Sequence, residues 1–133
     1  MSNKKDSTME KKEKPKFATA YIRNLRISPI KLRRLTKELT GLSVEKAVMH
    51  LTFSKISIAK EVKELIRSAM ANAENNYGMD IDNLTIHSID VGKSIIMKRF
   101  IPCSKGRAGK IKKPFSNIKI ILVEKTKELK SGT

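Results

Sequence analysis

Two short stretches of the sequence have the glycine and lysine content of a phosphate-binding loop, but neither has the required spacing. Asp90-Val91-Gly92-Lys93-Ser94 ends like a P-loop, but the glycine that opens such a loop would fall at position 87, which is a histidine. The run Gly106-Arg107-Ala108-Gly109-Lys110 has its glycines too close together and lacks the following Ser or Thr. The sequence therefore predicts no P-loop nucleotide site.

No other group of reactive side chains has the spacing of a catalytic or metal site. His50 and His87 stand on different predicted elements and have no Cys or His partner at the spacing of zinc ligands. Cys103 has no obvious base partner, and a lone thiol is weak support for catalysis. We therefore expect no enzyme, no metal and no cofactor, and we interpret both histidines as packing or surface residues.

The positive charge of the chain is concentrated in two separate stretches. The 133 residues include 29 Lys and Arg against 13 Asp and Glu, a formal net charge of +16. Residues 17–42 contain six basic residues and one acid, and residues 91–123 contain nine basic residues and no acid. Residues 43–90 contain five basic and seven acidic residues. Charge localised in this way indicates a partner that carries phosphates.

The first basic stretch contains a predicted helix with two different faces. Ser28-Pro29 predicts the helix start, with the serine hydroxyl as the cap, and Gly41 predicts its end. The apolar face is formed by Leu32, Leu35 and Leu39. The opposite side carries Arg33, Arg34 and Lys37. These cations lack the interleaved acids that usually balance such a face, which favours contact with phosphates.

The middle of the chain predicts the body of the fold. A short helix begins after Ser43, and a longer core helix, capped by Ser54, runs to a stop at Gly78. From Leu84 the apolar period changes from helical to alternating, with a bulge near His87-Ser88.

Residues 92–117, before a final strand at 118–123, predict a long basic hairpin. A turn signal at 105–109 lies near the middle, so each arm has about 12 residues and a length of about 40 Å. Because the rest of the domain has a radius of gyration of only about 13 Å, the distal half of the hairpin must project beyond the body. The alternative is a basic loop that orders only on a polyanion. The candidate phosphate contacts are Lys93, Lys98, Arg99, Lys105, Arg107, Lys110, Lys112 and Lys113.

The composition favours recognition of backbone and shape over base stacking. The chain has no Trp, two Tyr and four Phe, fewer rings than a protein that stacks single-stranded bases is expected to have. Zinc-finger spacing, leucine-zipper heptads and the aromatic motif of RNA-recognition domains are absent from the sequence. Folded RNA and duplex DNA both stay open as partners.

The length predicts one globular domain with two tails. Residues 1–16 are expected to be a disordered Lys-rich tail, 17–124 a single domain that includes the projecting hairpin 92–117, and 125–133 a C-terminal tail. No apolar run approaches the roughly 18 residues of a membrane-spanning helix, so no membrane segment is expected. One cysteine and no secretory leader predict a reducing, cytosol-like compartment.

Three motifs occur along the chain in a specific order: Leu25-Arg26-Ile27-Ser28-Pro29-Ile30-Lys31, then Ala71-Asn72-Ala73-Glu74-Asn75-Asn76-Tyr77-Gly78, then Lys98-Arg99-Phe100-Ile101-Pro102 with Lys105-Gly106-Arg107-Ala108. In this combination the chain resembles the bacterial large-ribosomal-subunit protein L twenty-two family, from about Ala18 to Glu124. The resemblance implies an α+β fold, with three helices packed on a small antiparallel sheet and one long extended basic β-hairpin.

The resemblance also implies a structural, non-enzymatic constituent of the ribosome. Its implied partners are large-subunit rRNA, other large-subunit ribosomal proteins and, transiently, the nascent polypeptide, with no homo-oligomer. The protein would be cytoplasmic and ribosome-bound and would support large-subunit assembly. The implied rRNA contacts near the Ser-Pro helix start are Arg23, Arg26, Lys31 and Arg33. The implied tunnel-lining positions of the hairpin are Met97, Lys98, Arg99, Lys105, Gly106, Arg107 and Ala108.

A free nucleoid-type DNA-binding protein is the alternative, because such proteins are also small, basic and Lys-rich. A free binder would gain little from a ribbon that cannot order alone. The single long hairpin therefore favours the ribosomal interpretation.

Overall fold

The chain forms one antiparallel sheet with three helices between its first and second strands. The structure, a computed structural model, describes residues 16–125. In chain order the elements are β1 (Phe17–Leu25), α1 (Pro29–Leu39), α2 (Val44–Phe53), α3 (Ala59–Tyr77), β2 (Leu84–Pro102) and β3 (Ala108–Glu124), with 3-10 turns at Ile81–Asn83 and Ser104–Gly106. The predicted tails, 1–16 and 125–133, fall almost entirely outside the described residues.

The sheet has the strand order β1-β3-β2, so that β3 pairs with both neighbours. Pairing of β1 with β3 runs from Phe17 opposite Val123 to Leu25 opposite Ser116, where β1 ends. Strands β2 and β3 continue as a pair to Pro102 opposite Ala108. The sheet therefore narrows from three strands to two beyond Ser116. We call residues 96–114 the ribbon.

The helices cover one face of the sheet and bury the core against it. Alternation along β1 buries Ala18 and Ala20 on this face, as expected for a half-buried strand. Leucines of α1, the apolar stripe of α3 and the centre of β3 complete the core, which includes Leu32, Leu35, Leu39, Val62, Ile66, Ile118, Ile120 and Leu122. The α+β fold expected from the resemblance is confirmed. None of the helices in residues 16–125 is long and apolar enough to cross a membrane.

The glycines that were predicted to end two helices adopt the left-handed conformation that such ends require. Gly41 has φ 86° and follows α1, and Gly78 has φ 60° and follows α3. At the start of α1, the backbone carbonyl of Ser28 accepts the Leu32 N–H at 3.1 Å, but the Ser28 hydroxyl makes no capping bond. The predicted position of this helix is right, and the predicted role of the hydroxyl is wrong.

The prediction that Ser54 caps the long helix is also wrong. Ser54 ends α2, and its Oγ accepts the Ile56 N–H at 3.4 Å, a local turn bond typical of serine. Helix α3 begins only at Ala59. The serine therefore shapes the link between the two helices instead of starting the second one.

Three register shifts interrupt the strands. One lies between Ile86 and Ser88, which confirms the bulge predicted there. The second lies in β1 after Ile22, and the third in β2 after Lys93. The second and third lie at the level of Ser116 of β3, where the three-stranded sheet becomes the ribbon. We call this level the neck.

Polar side chains hold the neck together. Asn24, at φ 58°, donates its N–H to Asn117 Oδ1 at 3.1 Å, and its own Oδ1 accepts the Ser94 hydroxyl. The buried Ser116 hydroxyl donates to the Ile27 carbonyl at 2.6 Å. These bonds tie all three strands and the entry to α1 together at the root of the ribbon.

Past its root, where Ile96 and residues 112–114 lie beside α1, the ribbon extends with no further element packed on it. Every residue from Met97 to Ala108 is exposed. Seven residues of β2, from 96 to 102, span about 23 Å at roughly 3.3 Å per residue. The projecting part is about half of a 40 Å arm, which agrees with the prediction that the distal half projects, because β1 and α1 flank the first part of each arm.

Candidate nucleic-acid interface

Cross-strand pairing sorts the side chains of the ribbon onto two faces. Successive residues of a strand point to opposite faces, and directly paired residues share a face. The first face therefore carries Lys98, Phe100, Lys110 and Lys112. The second face carries Met97, Arg99, Ile111 and Lys113. Each face thus combines cations with an apolar side chain, and the ribbon can contact phosphates on both sides.

The charges of the ribbon are not balanced within the described part of the chain. Lys98 lies directly opposite Lys112, an arrangement that destabilises a strand pair. Among residues 16–125 the one contact within 4 Å between a basic and an acidic side chain joins His50 Nε2 to Glu38 Oε2 at 3.5 Å, between α2 and α1. The cations of the ribbon therefore have no acidic partner in that part of the chain, which leaves them available to an external polyanion.

The tip of the ribbon turns through two residues of positive φ, Lys105 at 62° and Gly106 at 68°. The Cys103 N–H donates to the Arg107 carbonyl at 2.7 Å and closes the turn. A Cβ at Gly109 would approach Cys103 Sγ to 2.8 Å, so a side chain there would require the Cys103 side chain to move. The turn predicted at 105–109 is confirmed.

A basic groove runs along the neck, between α1 and the root of the ribbon. One wall carries Arg26, Lys31 and Arg34, and the other carries Lys112 and Lys113, with the link 56–58 between the helices completing it. Its volume is about 670 Å³, and every charged side chain that lines it is positive. Five cations around one open groove suit a stretch of sugar-phosphate backbone.

The three cations predicted on one side of α1 divide between two surfaces. Arg34 lines the basic groove, whereas Arg33 and Lys37 line a shallow depression on another side of the helix together with Asp90. The division arises because β2 and β3 pass beside α1, so that neighbouring positions of one helical face meet different parts of the sheet.

Arg23 lies apart from the other candidate contacts. Its guanidinium carbon is 5.3 Å from the centre of the Tyr21 ring, a cation–π contact on the sheet face that the helices leave open. Tyr21 pairs across the strands with Lys119. Lys119 was not among the predicted contacts, and it lies on this open face directly opposite Asp90 of β2.

Sequence reasoning also missed two phenylalanines next to the cations. Phe100 is 69% exposed on the first face of the ribbon, between lysines. Phe115 lies at the neck, beside Lys93 and Arg33. A low total of aromatic residues hid them, although each has a basic residue within two positions in the sequence.

The two histidines have structural contacts. The ring of His87 lies 5.6 Å from that of Phe17, and His50 pairs with Glu38. Within residues 16–125, no three His, Cys, Asp or Glu side chains come close enough together to hold a metal ion.

The sequence pattern of one protein family, described as "Ribosomal protein L22p/L17e", matches residues 20–123. The chain belongs to this family. It is 50% identical to the large ribosomal subunit protein uL22 of Rickettsia typhi over 113 residues, which are 85% of this chain and 95% of that protein. The uL22 protein of Rickettsia prowazekii is 50% identical over 109 residues, 82% of this chain and 92% of that protein. The uL22 protein of Acidiphilium cryptum is 46% identical over 114 residues, 86% of this chain and 74% of that protein.

The part of the chain that matches the L22p/L17e family includes the whole candidate interface. The matched residues include the helix start, the neck and both arms of the ribbon. The relatives named here are large-subunit ribosomal proteins. The alternative of a free nucleoid-type DNA-binding protein therefore has no support from these similarities.

Proposed function

We propose that this chain is a structural constituent of the large ribosomal subunit, and that it binds large-subunit rRNA. Its uL22 relatives are named as proteins of the large ribosomal subunit, and the match covers almost the full length of the Rickettsia proteins. Such a role needs no catalytic centre. It places the protein in the cytoplasm, bound to the ribosome and in contact with other large-subunit proteins, as one copy and not as a homo-oligomer.

The observation that carries the proposal is the exposed, acid-free ribbon. Two strands with lysines opposite each other are poorly stable alone in water, since an isolated hairpin is marginal and like charges repel across it. Phosphates packed around the ribbon would reverse both penalties. A folded RNA supplies such an environment on all sides, and by filling it the ribbon supports assembly of the subunit.

The rRNA contacts of this proposal follow the placement of the cations. The basic groove contributes Arg26, Lys31, Arg34, Lys112 and Lys113. The ribbon and its tip contribute Lys98, Arg99, Lys105, Arg107 and Lys110. Arg33, Lys37 and Lys93 contact RNA beside α1, and Arg23 contacts it on the open face of the sheet.

The tip of the ribbon is proposed to reach the nascent-peptide exit tunnel. Met97, Lys98 and Arg99 and the turn Lys105-Gly106-Arg107-Ala108 would line it and meet the nascent polypeptide transiently. All of these residues are exposed and far along a projecting element, so contact with a peptide needs no rearrangement of the body.

Sucrose-gradient fractionation of cell lysate tests the ribosomal assignment. After a moderate salt wash, the protein should sediment with large subunits in a one-to-one ratio to their rRNA. Recovery with nucleoid DNA, or release from subunits while other ribosomal proteins stay bound, would overturn the assignment.

A thiol-directed crosslink tests the tunnel position separately. Cys103 is exposed and is the chain's single cysteine, so a crosslinker attached to it on ribosomes should capture a stalled nascent chain. The matched control is Cys103→Ser combined with Met49→Cys, which moves the thiol to an exposed position on α2. Equal capture from both positions, or none from Cys103 at full labelling, would contradict a tunnel-side tip.

A further inference from the structure

A further depression, at the neck and separate from the one lined by Lys37, differs from the basic groove in its chemistry. Its wall is apolar and consists of Pro29, Ile30, Ile96, Pro114 and Phe115. Arg33 and Lys93 line it as well, and no acidic residue does. It encloses about 180 Å³, below the 300–1,000 Å³ of pockets for drug-sized ligands. The size suits a single ring system. We call this depression the recess.

The apolar residues of the recess are left partly uncovered. Ile30 is 73% exposed and Ile96 is 46% exposed, although both stand beside the buried Pro29. An open apolar hollow of this kind beside two cations fits a ligand with a flat apolar part and a negative charge at its edge.

We propose that the recess binds one unpaired nucleobase of the RNA, stacked against Phe115 and Pro114, with phosphates of the same strand at Arg33 and Lys93. This inference rests on the proposed RNA-binding function and names one contact within it. Unstacked bases in folded RNA commonly insert beside aromatic side chains, and such stacking tolerates any base.

The position of the recess favours a nucleotide over a peptide. Ser28 and Pro114 line both the recess and the basic groove, so the two sites are continuous along the neck. A strand whose backbone follows the five cations of the groove reaches the recess directly. An apolar peptide would gain nothing from Arg33 and Lys93, whereas phosphates on either side of a base neutralise both.

Photo-crosslinking from inside the recess tests the proposal on intact ribosomes. A full-length protein with p-azidophenylalanine in place of Phe115 should crosslink to one discrete nucleotide of rRNA, located by a reverse-transcription stop. The same substitution at Phe100 on the ribbon is the control, because it reports RNA contact as such.

Each outcome of this experiment is informative. An RNA crosslink from position 100 without one from 115, or a crosslink from 115 to a ribosomal protein or to scattered nucleotides, overturns the recess proposal alone. No RNA crosslink from either position overturns the proposed function, and the recess proposal with it.

Binding of the full-length chain to a transcript of bacterial large-subunit rRNA gives a second readout. Ile30→Trp fills the recess and should weaken binding roughly 5- to 150-fold, as expected for one lost stacked base, without changing the salt dependence. Arg33→Gln should instead lower the slope of log affinity against log salt by about 1. Met49→Trp, at an exposed position on α2, is the matched control and should bind like the wild type. Equal binding by Ile30→Trp and Met49→Trp would refute the proposal.

Discussion

Lys98 and Lys112 lower the stability of the ribbon in the free protein. The two side chains share a face, directly opposite each other, and no acid among the described residues offsets them. Such a pair costs about 0.2–1 kcal/mol in an isolated sheet. This cost is offset only when phosphates replace water around the two lysines. A phosphate-bound ribbon therefore accounts for the pair, whereas the free protein does not.

Replacing one member of this pair should therefore have opposite effects on the free and the bound protein. In the free protein, Lys98→Gln should slow amide hydrogen exchange in the ribbon by up to about fivefold, because the repulsion is removed. Binding to an rRNA transcript should weaken, with a salt slope smaller by about 1.

Lys60→Gln is the control for this substitution, since Lys60 is exposed on α3, away from the ribbon. It should change neither quantity. A Lys98→Gln protein that binds RNA with an unchanged salt slope would show that this lysine contacts no phosphate.

At the scale of elements, the neck decides the direction in which the ribbon leaves the body. Two bulges, one in β1 and one in β2, lie at the level of Ser116, and each brings a polar side chain toward the other: Asn24 and Ser94. Bulges increase strand twist and redirect a strand. The hydrogen bonds of Asn117 and Ser116 then hold that direction relative to α1.

Loss of the Ser116 hydroxyl should weaken this junction. Ser116→Ala removes the donor to the partly buried Ile27 carbonyl, which costs about 1–3 kcal/mol of unfolding free energy, and Tm should fall by roughly 4 °C or more for each kcal/mol. Ser68→Ala, at an exposed site on α3, is the control and should not lower Tm. Thermal unfolding followed by circular dichroism checks both. A Ser116→Ala protein as stable as the control would mean that the bond contributes nothing.

The ends of helices and the first bulge could be predicted from the sequence, because a single local signal determines each of them. Gly41 and Gly78 ended helices because few residues other than glycine adopt positive φ easily, and the change of period after Leu84 marked the bulge at His87-Ser88. Ser54 misled because a serine can bond to its own chain two residues on as readily as it can cap a helix. The bulges of the neck gave no signal in the sequence, because they depend on how β3 pairs with β1 and β2, which no local pattern within one strand specifies.

The whole molecule consists of a self-sufficient body and a ribbon that contributes nothing to its core. No residue between 98 and 112 belongs to the buried cluster, and the helices pack on the three-stranded part of the sheet. Folding stability and the distal part of the proposed RNA-binding surface are therefore carried by different parts of the chain.

Excision of the distal ribbon should separate the two properties. Residues 98–112 are replaced by Asn-Gly, which joins Met97 to its partner Lys113 through a type I′ turn. The body should unfold within a few degrees of the wild type. The change removes six cations, so the salt slope of rRNA binding should drop by roughly 4–5 if all six meet phosphates.

The salt slope and Tm of the excised protein are compared with those of the full chain at the same salt concentrations. A variant with the same charges inserted elsewhere would not be a valid control. An excised protein with an unchanged slope would show that the body alone makes the phosphate contacts. A large fall in Tm would show that the ribbon supports the core after all.

The site was predictable in its charge but not in its shape. The acid-free run 91–123 identified the ribbon cations, and the Ser-Pro helix identified those of α1. The separation of Arg34 from Arg33 and Lys37, and the recess around Phe115, follow from β2 and β3 passing beside α1. Such a packing arrangement depends on the whole fold, and the periodicity of one helix cannot supply it.

The pairing of Phe17 with Val123 places the two ends of the described chain side by side, at the end of the strands farthest from the ribbon tip. Tension applied between those ends loads the β1–β3 hydrogen bonds one after another, starting at Phe17, and never all at once. The sheet therefore opens like a zipper under low force. Machinery that pulls on either end would unravel a copy of the protein that has not been enclosed by RNA.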